Sequence, residues 1–175
     1  MNASDELSVL YGSEKIDERV RQIGADITSD FPESDIACVG VLPNCMVFMA
    51  DLIRKIERPL TCDFLKVGTD DAKRVDIAFG QANDFSDRDV LLIQGVVDTG
   101  VTLDFITGHI EQTWRPKSLK VAALINRENH RKVGCAVDYT CFELSMEGYV
   151  AGYGLGLDEY HRGATYLGLA GAEAS

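Results

Sequence analysis

A short polar segment, Asp98-Thr99-Gly100-Val101-Thr102, lies between the most strand-like run of the chain (90–97, VLLIQGVV) and a helical apolar pattern. At such a turn, backbone N–H groups, the helix dipole and the hydroxyls of Thr99 and Thr102 direct donors toward an anion. Gly100 lets the backbone approach a ligand closely. The segment predicts a phosphate-binding loop; an ordinary helix N-cap formed by its Thr and Asp residues is the competing interpretation.

The strands that would position this loop are indicated by near-continuous apolar runs, which are typical of strands buried on both faces. These runs are Ile36–Leu42 (IACVGVL), 60–67, 90–97 and 119–125 (LKVAALI). A polar break at 68–72 (GTDDA) precedes a short flap strand at Val75–Phe79. Shorter strands are predicted at 139–144, Tyr149–Ala151 and 165–169.

Helical spacing separates these strands. The first helix places four isoleucine and valine side chains on one face, is capped by Ser13 and ends at Pro32. A second runs over 46–56 and stops before Pro59. Alternating strands and helices predict an α/β fold, a doubly wound and mostly parallel sheet, in a single domain over 1–175. Ligands of such sheets bind beyond the carboxyl ends of the strands, so the loops after Leu42, Val97 and Ile125 are candidate sites.

Composition restricts the classes of partner. The formal net charge is −11 and the pI is near 4.6, which argues against general binding to nucleic acid or to an anionic membrane. The N-terminus has no signal-peptide pattern and no apolar run is long enough for a membrane helix, so a cytoplasmic protein is expected. The five cysteines show no CxxC spacing, and His109, His130 and His161 show no ligand spacing, which predicts ordinary structural roles for all of them.

Several separated motifs carry a family resemblance. VLLIQGVVDTGVTL resembles the phosphoribosyl pyrophosphate signature of type I phosphoribosyltransferases. More narrowly, the chain resembles hypoxanthine-guanine phosphoribosyltransferases through ERVRQIGADI, MVFMADLIRKIERPLTCDF, RPKSLKVAALI, VDYTCFEL and GYVAGYGLGLDEYHR, in the same order. The resemblance implies a type I phosphoribosyltransferase fold with a small hood or flap region. It also implies a Mg²⁺-dependent reaction of purine salvage, in which a purine base and phosphoribosyl pyrophosphate give a purine nucleoside monophosphate and pyrophosphate.

The resemblance assigns roles in the phosphate loop. Asp98 falls on the family's general base for the purine N7 proton, a role that suits a carboxylate within hydrogen-bond reach. The family loop that holds the 5′-phosphate corresponds to Thr99, Gly100, Val101 and Thr102. Val101 stands where the family commonly has Lys or Arg, but the backbone donors do not depend on that side chain.

Four further positions match base-binding or phosphate-binding residues of the family. Arg127 falls on the Lys that contacts the purine 6-oxo group; Arg keeps the charge but has a planar fork in place of a point charge. Tyr149 falls on the aromatic that stacks on the base, and Val150 on the neighbour whose backbone reads the purine edge. Arg162 falls on an Arg of the pyrophosphate side; a surface Arg is the alternative interpretation.

Departures from the family concentrate on the metal and pyrophosphate side. Gln94 and Gly95 replace two adjacent acids, and Gly156 replaces an Asp, so the family's metal positions carry no carboxylate here. Asp158 lies nearby but out of register. Pro43 replaces the Lys of a Leu-Lys-Gly loop and removes one N–H donor as well as the cation. The flap reads GTDDAKR and lacks the family's Ser-Tyr pair.

These losses leave three hypotheses open. The first is a working purine phosphoribosyltransferase of divergent type, in which the losses on the metal and pyrophosphate side predict catalysis that is weakened or lost. The second is a non-catalytic sensor or subunit that binds a purine nucleoside monophosphate. The third is a structural relic that serves protein–protein contacts alone. Mg²⁺ is implied by the resemblance, but the missing acids argue against it in this chain. The resemblance also implies a homo-oligomer, with a purine base or nucleotide, and phosphoribosyl pyrophosphate if the chain is active, as small-molecule partners.

Overall fold

The computed structural model describes residues 7–33, 35–69, 75–79, 84–156 and 161–170. Its strands are β1 Ser8–Tyr11, β2 Ile36–Leu42, β3 Leu60–Thr69, β4 Val75–Phe79, β5 Asp89–Val97, β6 Ser118–Asn126, β7 Tyr139–Glu143, β8 Tyr149–Ala151 and β9 Leu167–Ala170. Its α-helices are α1 Ser13–Asp30, α2 Met46–Leu52 and α3 Val101–Trp114. No helix in these ranges is both long enough and apolar enough to cross a membrane.

Among the described residues, six strands form a central sheet in the order β4-β3-β2-β5-β6-β7. All neighbouring pairs are parallel except β3 and β4 at one edge. A second, antiparallel sheet has the order β1-β9-β8. The doubly wound, mostly parallel fold is therefore confirmed, and the described residues add a second, smaller sheet to it.

Each central strand contributes to two cores because successive side chains point to opposite faces. From β2, Ile36 and Cys38 pack on the face covered by α1 and α2, while Ala37 and Val39 pack on the face covered by α3. On the α1 side the predicted stripe is fully buried, and it consists of Ile16, Val20, Ile23 and Ile27. Burial on both faces explains why these strands are almost uninterrupted apolar runs.

Two local predictions were wrong. Ser13 is the first residue of α1 and does not cap it; the cap is Gly12, which forms no side-chain bond. The second helix ends as an α-helix at Leu52 and continues only as a 3₁₀ turn over Ile53–Lys55. The short β1 was not predicted at all.

The strand order changes direction between β2 and β5. The chain leaves β2 through α2 toward β3, and it leaves β5 through α3 toward β6 on the other side. The loops after these two central strands therefore diverge and leave a crevice at their carboxyl ends, where ligands of open α/β sheets bind.

Candidate functional site

Two adjoining pockets occupy this crevice. The aromatic pocket is lined by Asn44, Val96, Asp98, Arg127, Gly148, Tyr149, Val150, Leu155 and Gly156. The loop pocket is lined by Gln94, the segment 96–100, Thr102 and Leu103. Val96 and Asp98 line both, so a ligand could place one part in each pocket.

The loop pocket is formed by the turn between β5 and α3. Gly100 is the N-cap of α3 with φ of 83°, a left-handed conformation that favours glycine. A Cβ there would also lie 2.7 Å from Cys135 Sγ, so the segment beneath the loop leaves no room for a side chain. The first intrahelical acceptor is Gly100 O, bonded by Asp104 N–H at 2.9 Å, so the N–H groups before Asp104 have no intrahelical partner.

This geometry bears on the capping interpretation of the loop, and phosphate binding there stays a prediction. Ordinary capping by Thr or Asp is contradicted, because the cap is Gly100 and forms no side-chain hydrogen bond. Thr99 and Thr102 instead line the loop pocket together with the start of a 14-residue helix. Val101 is half-exposed at the first helical position and does not line the pocket. Backbone donors, a helix terminus and hydroxyls therefore meet at this pocket, a combination whose chemistry suits an anion.

Arg127 supplies a buried cation to the aromatic pocket. Its side chain is 7% exposed, and its Nη2 donates to the carbonyl oxygens of Met146 at 3.1 Å and Gly148 at 2.6 Å. These bonds attach the guanidinium to the segment that leads into β8, where Tyr149 is 55% exposed. The pocket therefore combines a fixed cation with an open aromatic face, which suits a planar polar ring.

Asp98 is held by the segment that follows β6. Its Oδ1 lies 2.8 Å from His130 Nδ1, and its carbonyl oxygen accepts a bond from Arg131 Nη1 at 3.0 Å. The backbone N–H of Lys132 donates to the carbonyl oxygen of Thr99 at 2.9 Å. Asp98 therefore faces the aromatic pocket from a loop that the 127–132 segment ties in place.

Arg162 does not line either pocket. Its Nη1 donates to Asn44 Oδ1 and to the carbonyl oxygen of Gly154, both at 2.8 Å, and its Nη2 donates to the carbonyl oxygen of Gly156 at 3.0 Å. It borders a separate cavity beside α1 and α2. Its contact with Asn44 places it behind the loop that follows β2, so it is not an isolated surface Arg.

Comparison with known proteins decides the family. A model of the phosphoribosyl transferase domain matches residues 9–159. The chain belongs to the phosphoribosyltransferase family. It is 34% identical over 171 residues to the hypoxanthine-guanine phosphoribosyltransferase of Staphylococcus epidermidis, covering 95% of this chain and 94% of the relative. The Staphylococcus aureus enzyme of the same name is 32% identical over 170 residues, covering 94% of each. The hypoxanthine-guanine branch of the family is thereby confirmed.

Solved phosphoribosyltransferase structures have the same fold. A hypoxanthine-guanine phosphoribosyltransferase from Bacillus anthracis superposes with a TM-score of 0.88 at 26% identity, covering 94% of this chain and 97% of that one. A hypoxanthine phosphoribosyltransferase from Staphylococcus aureus gives 0.87 at 32% identity and covers 97% of each chain. The crevice described above therefore lies in a phosphoribosyltransferase fold that is matched along nearly its whole length.

The family's metal positions do not fit Mg²⁺ in this phosphoribosyltransferase. A Cβ on Gly95 would lie 2.4 Å from the carbonyl oxygen of Asn44 and 2.7 Å from Leu155 Cδ2, so no carboxylate side chain has room there. Gln94 is 7% exposed, and its buried Nε2 has no hydrogen-bond partner among the described residues. Gly156 offers no side chain at all. Mg²⁺ prefers carboxylates, which these three positions lack, and the described ranges hold no cluster of metal-ligating side chains.

His130 lies at the candidate site, although no sequence pattern points to it. The sequence suggested an ordinary role for this residue, whereas the structure places its ring against Asp98. The two residues are 32 positions apart in the sequence. They follow two neighbouring parallel strands, β5 and β6, and a sequence pattern does not show which residues beyond such strands come into contact. The flap segment 70–74 and Asp158 lie outside the described residues.

Proposed function

We propose that this phosphoribosyltransferase-family protein binds a purine nucleoside monophosphate across the two pockets. We further propose that it forms such a nucleotide from hypoxanthine or guanine and phosphoribosyl pyrophosphate, as a purine salvage protein with greatly slowed catalysis. The observation that carries the proposal is the meeting of Asp98, Arg127 and Tyr149 in one pocket that adjoins the loop pocket.

The base fits the aromatic pocket by charge and shape. The exposed ring of Tyr149 offers a stacking face, and Arg127 brings a buried cation that favours a 6-oxo group over the 6-amino group of adenine. In the transfer step, purine N9 forms a bond to ribose C1′ and the C1′–oxygen bond to pyrophosphate breaks. The N7 proton passes to the Asp98 carboxylate, which acts as the general base.

The 5′-phosphate fits the loop pocket without needing lysine or arginine side chains. The backbone N–H groups at the start of α3, the helix dipole and the hydroxyls of Thr99 and Thr102 supply the donors. Such a site holds one phosphate on an acidic protein, because the fixed dipoles and donors do not add to the net charge of the surface.

The slowing of catalysis follows from the pyrophosphate side. Gly95 is packed against Asn44, Gln94 is a neutral amide, and Pro43 has no N–H to donate. Pyrophosphate develops charge as the bond to ribose breaks, and electrostatic contacts to such charge are usually the largest contribution to catalysis. The loss of two or three contacts corresponds to several kcal/mol, or roughly three or more orders of magnitude in rate.

Calorimetry with IMP, GMP and phosphoribosyl pyrophosphate, each with and without Mg²⁺, tests the binding proposal. IMP and GMP are expected to bind, with dissociation constants that Mg²⁺ changes by less than about twofold, since the residues that would hold the metal are missing. Ribose 5-phosphate, which lacks the base, is expected to bind more weakly than IMP. Tight, Mg²⁺-dependent binding of phosphoribosyl pyrophosphate would contradict the proposal and indicate an ordinary enzyme.

A radiolabelled hypoxanthine assay separates slow catalysis from none. The Staphylococcus epidermidis relative, assayed in parallel, is the reference, and the expected rate is at least about a thousandfold lower. Packing of the Asn44 carbonyl against Gly95 favours a second candidate function, a non-catalytic nucleotide sensor or a subunit of another protein. Nucleotide binding with no detectable IMP formation would support that candidate. A homo-oligomer located in the cytoplasm remains part of either proposal.

A further inference from the structure

We propose that His130 is a positioning residue for base recognition, which holds the Asp98 carboxylate in the orientation that meets purine N7. The inference rests on the proposed function, since it assigns Asp98 to the base.

The geometry links His130 to two carboxylates on different loops. Its Nδ1 lies 2.8 Å from Asp98 Oδ1, on the loop after β5, and its Nε2 lies 3.3 Å from Glu147 Oε1, on the segment before β8. The His130 side chain is 19% exposed, Asp98 is about half exposed, and Glu147 is almost fully exposed. The close, better-shielded contact is therefore the one to Asp98, and the contact to Glu147 is weaker because water competes for it.

The segment that carries His130 is itself anchored on both sides. The backbone N–H of Arg127 donates to the carbonyl oxygen of Val97 at 2.9 Å, and that of Lys132 donates to the carbonyl oxygen of Thr99 at 2.9 Å. The Arg131 guanidinium bonds to the carbonyl oxygen of Asp98 and to Asn126 Oδ1, so it does not compete for the carboxylate. These bonds fix the imidazole relative to the loop that bears Asp98.

The bond to the imidazole restricts the orientation of the Asp98 carboxylate. An aspartate side chain that projects from a loop rotates about its terminal torsion, and a hydrogen bond to one oxygen restricts that rotation. The imidazole occupies Oδ1, so Oδ2 is the oxygen left to accept the N7 proton of the base. Loss of this bond should weaken recognition of the purine and should not affect the 5′-phosphate, because the phosphate donors lie in the backbone and hydroxyls of the next residues.

Two conservative variants separate orientation from simple packing. In His130→Asn the side-chain amide nitrogen replaces Nδ1 and can still donate to Asp98. In His130→Gln the amide nitrogen replaces Nε2 and lies beyond that position. His109→Gln, on α3 and outside both pockets, is the matched control. Thermal unfolding checks that each variant is folded.

The ligands are chosen to report the base and the phosphate separately. A 9-deazahypoxanthine nucleoside 5′-phosphate keeps a proton on N7 and so donates to a carboxylate, whereas ribose 5-phosphate carries no base. By calorimetry, His130→Gln is expected to bind the deaza nucleotide about tenfold more weakly than the parent, because it loses a hydrogen bond to a charged group. His130→Asn should stay within about threefold of the parent, and all variants should bind ribose 5-phosphate within about twofold.

Four other results of the calorimetry would contradict the inference, and each has a different meaning. If the parent binds neither ligand, the proposed function fails, and this inference fails with it. If the parent binds both but His130→Gln binds the deaza nucleotide as tightly, the inference alone is wrong. Equal weakening of both ligands would show that His130 only supports the loop. A His130→Asn variant as weak as His130→Gln would show that the Nδ1 bond is not the orienting contact.

Discussion

At the scale of single residues, Asp98 and Thr102 line the same loop pocket but are expected to act on different parts of the ligand. Asp98→Asn replaces a charged acceptor with a neutral amide that cannot take up a proton. We expect it to weaken binding of the 9-deazahypoxanthine nucleotide about tenfold and to lower the residual transfer rate by about 10²-fold or more, with ribose 5-phosphate binding unchanged. Calorimetry and the hypoxanthine assay measure these effects.

Thr102→Val is expected to weaken binding of the 5′-phosphate, whereas Asp98→Asn is expected to weaken binding of the base. It removes one hydroxyl donor from the loop pocket at nearly constant side-chain volume, so every 5′-phosphate should bind about three- to tenfold more weakly, whether or not a base is attached. Equal affinities of the parent and both variants for all ligands would show that the loop is a structural turn and not a binding site.

The site could be predicted from sequence only where chemistry is local in the chain. The proposed phosphate loop can be located in the sequence because its candidate donors are consecutive residues between a strand and a helix. The family resemblance placed Arg127 and Tyr149, which line the same pocket. The contact of His130 with Asp98 and the packing of Gly95 against Asn44 depend on which loops meet at the sheet edge, and no local pattern encodes that.

At the scale of elements, the packing of β5 against the loop after β2 depends on the absence of a side chain at position 95. In Gly95→Ala the new Cβ would overlap the carbonyl oxygen of Asn44, a backbone atom that cannot rotate away. We expect the free energy of unfolding to fall by about 1–3 kcal/mol, as for other overpacked sites. Urea denaturation followed by circular dichroism measures the change.

Gly134→Ala is the matched control, because nothing lies within 4 Å of a Cβ built there. Its stability should stay within about 0.5 kcal/mol of the parent. If Gly95→Ala were equally neutral, the loop after β2 would yield easily, and the steric argument against a carboxylate at position 95 would be wrong.

Deeply buried strands and helices could be predicted from the sequence, whereas a short, partly exposed strand could not. The β2 and β5 runs were recognised because their side chains on both faces enter a core. β1 is four residues long with a partly exposed pattern, and its order comes from pairing with β9 more than 150 positions away. In α1 the buried apolar stripe predicted the position of the helix correctly. The predicted capping residue was wrong, because the residue before the helix is Gly12 and not Ser13.

At the scale of the whole molecule, the acidic surface is compatible with the proposed phosphate site, because the proposed cradle uses dipoles in place of charged side chains. The central sheet brings the carboxyl ends of β2, β5 and β6 together, and loops following these strands all contribute to the aromatic pocket. The same sheet buries Cys38 and Cys141, while Cys45 is buried just before α2. These cysteines are free thiols that pack as small apolar groups.

The buried thiols predict a steep loss of stability in alkali. Burial raises the pKa of Cys38, Cys45 and Cys141 from an ordinary value of 9.0 to about 12 in each case. Between pH 9 and 12 the unfolded chain therefore releases protons that the folded protein keeps. The free energy of unfolding is fully retained below pH 9 and falls as pH rises, by about 1.4 kcal/mol per pH unit for each thiol.

Urea denaturation between pH 8 and 11, with a reductant present, measures this slope. Cys141→Ala removes one thiol and should make the decline shallower by about 1.4 kcal/mol per pH unit. Ile110→Val, a core truncation that keeps every thiol, should lower stability by about 1 kcal/mol at all pH values with an unchanged slope. An unchanged slope in Cys141→Ala would mean that this thiol ionises equally in the folded and unfolded chains, and the alkaline loss would then have to come from other groups.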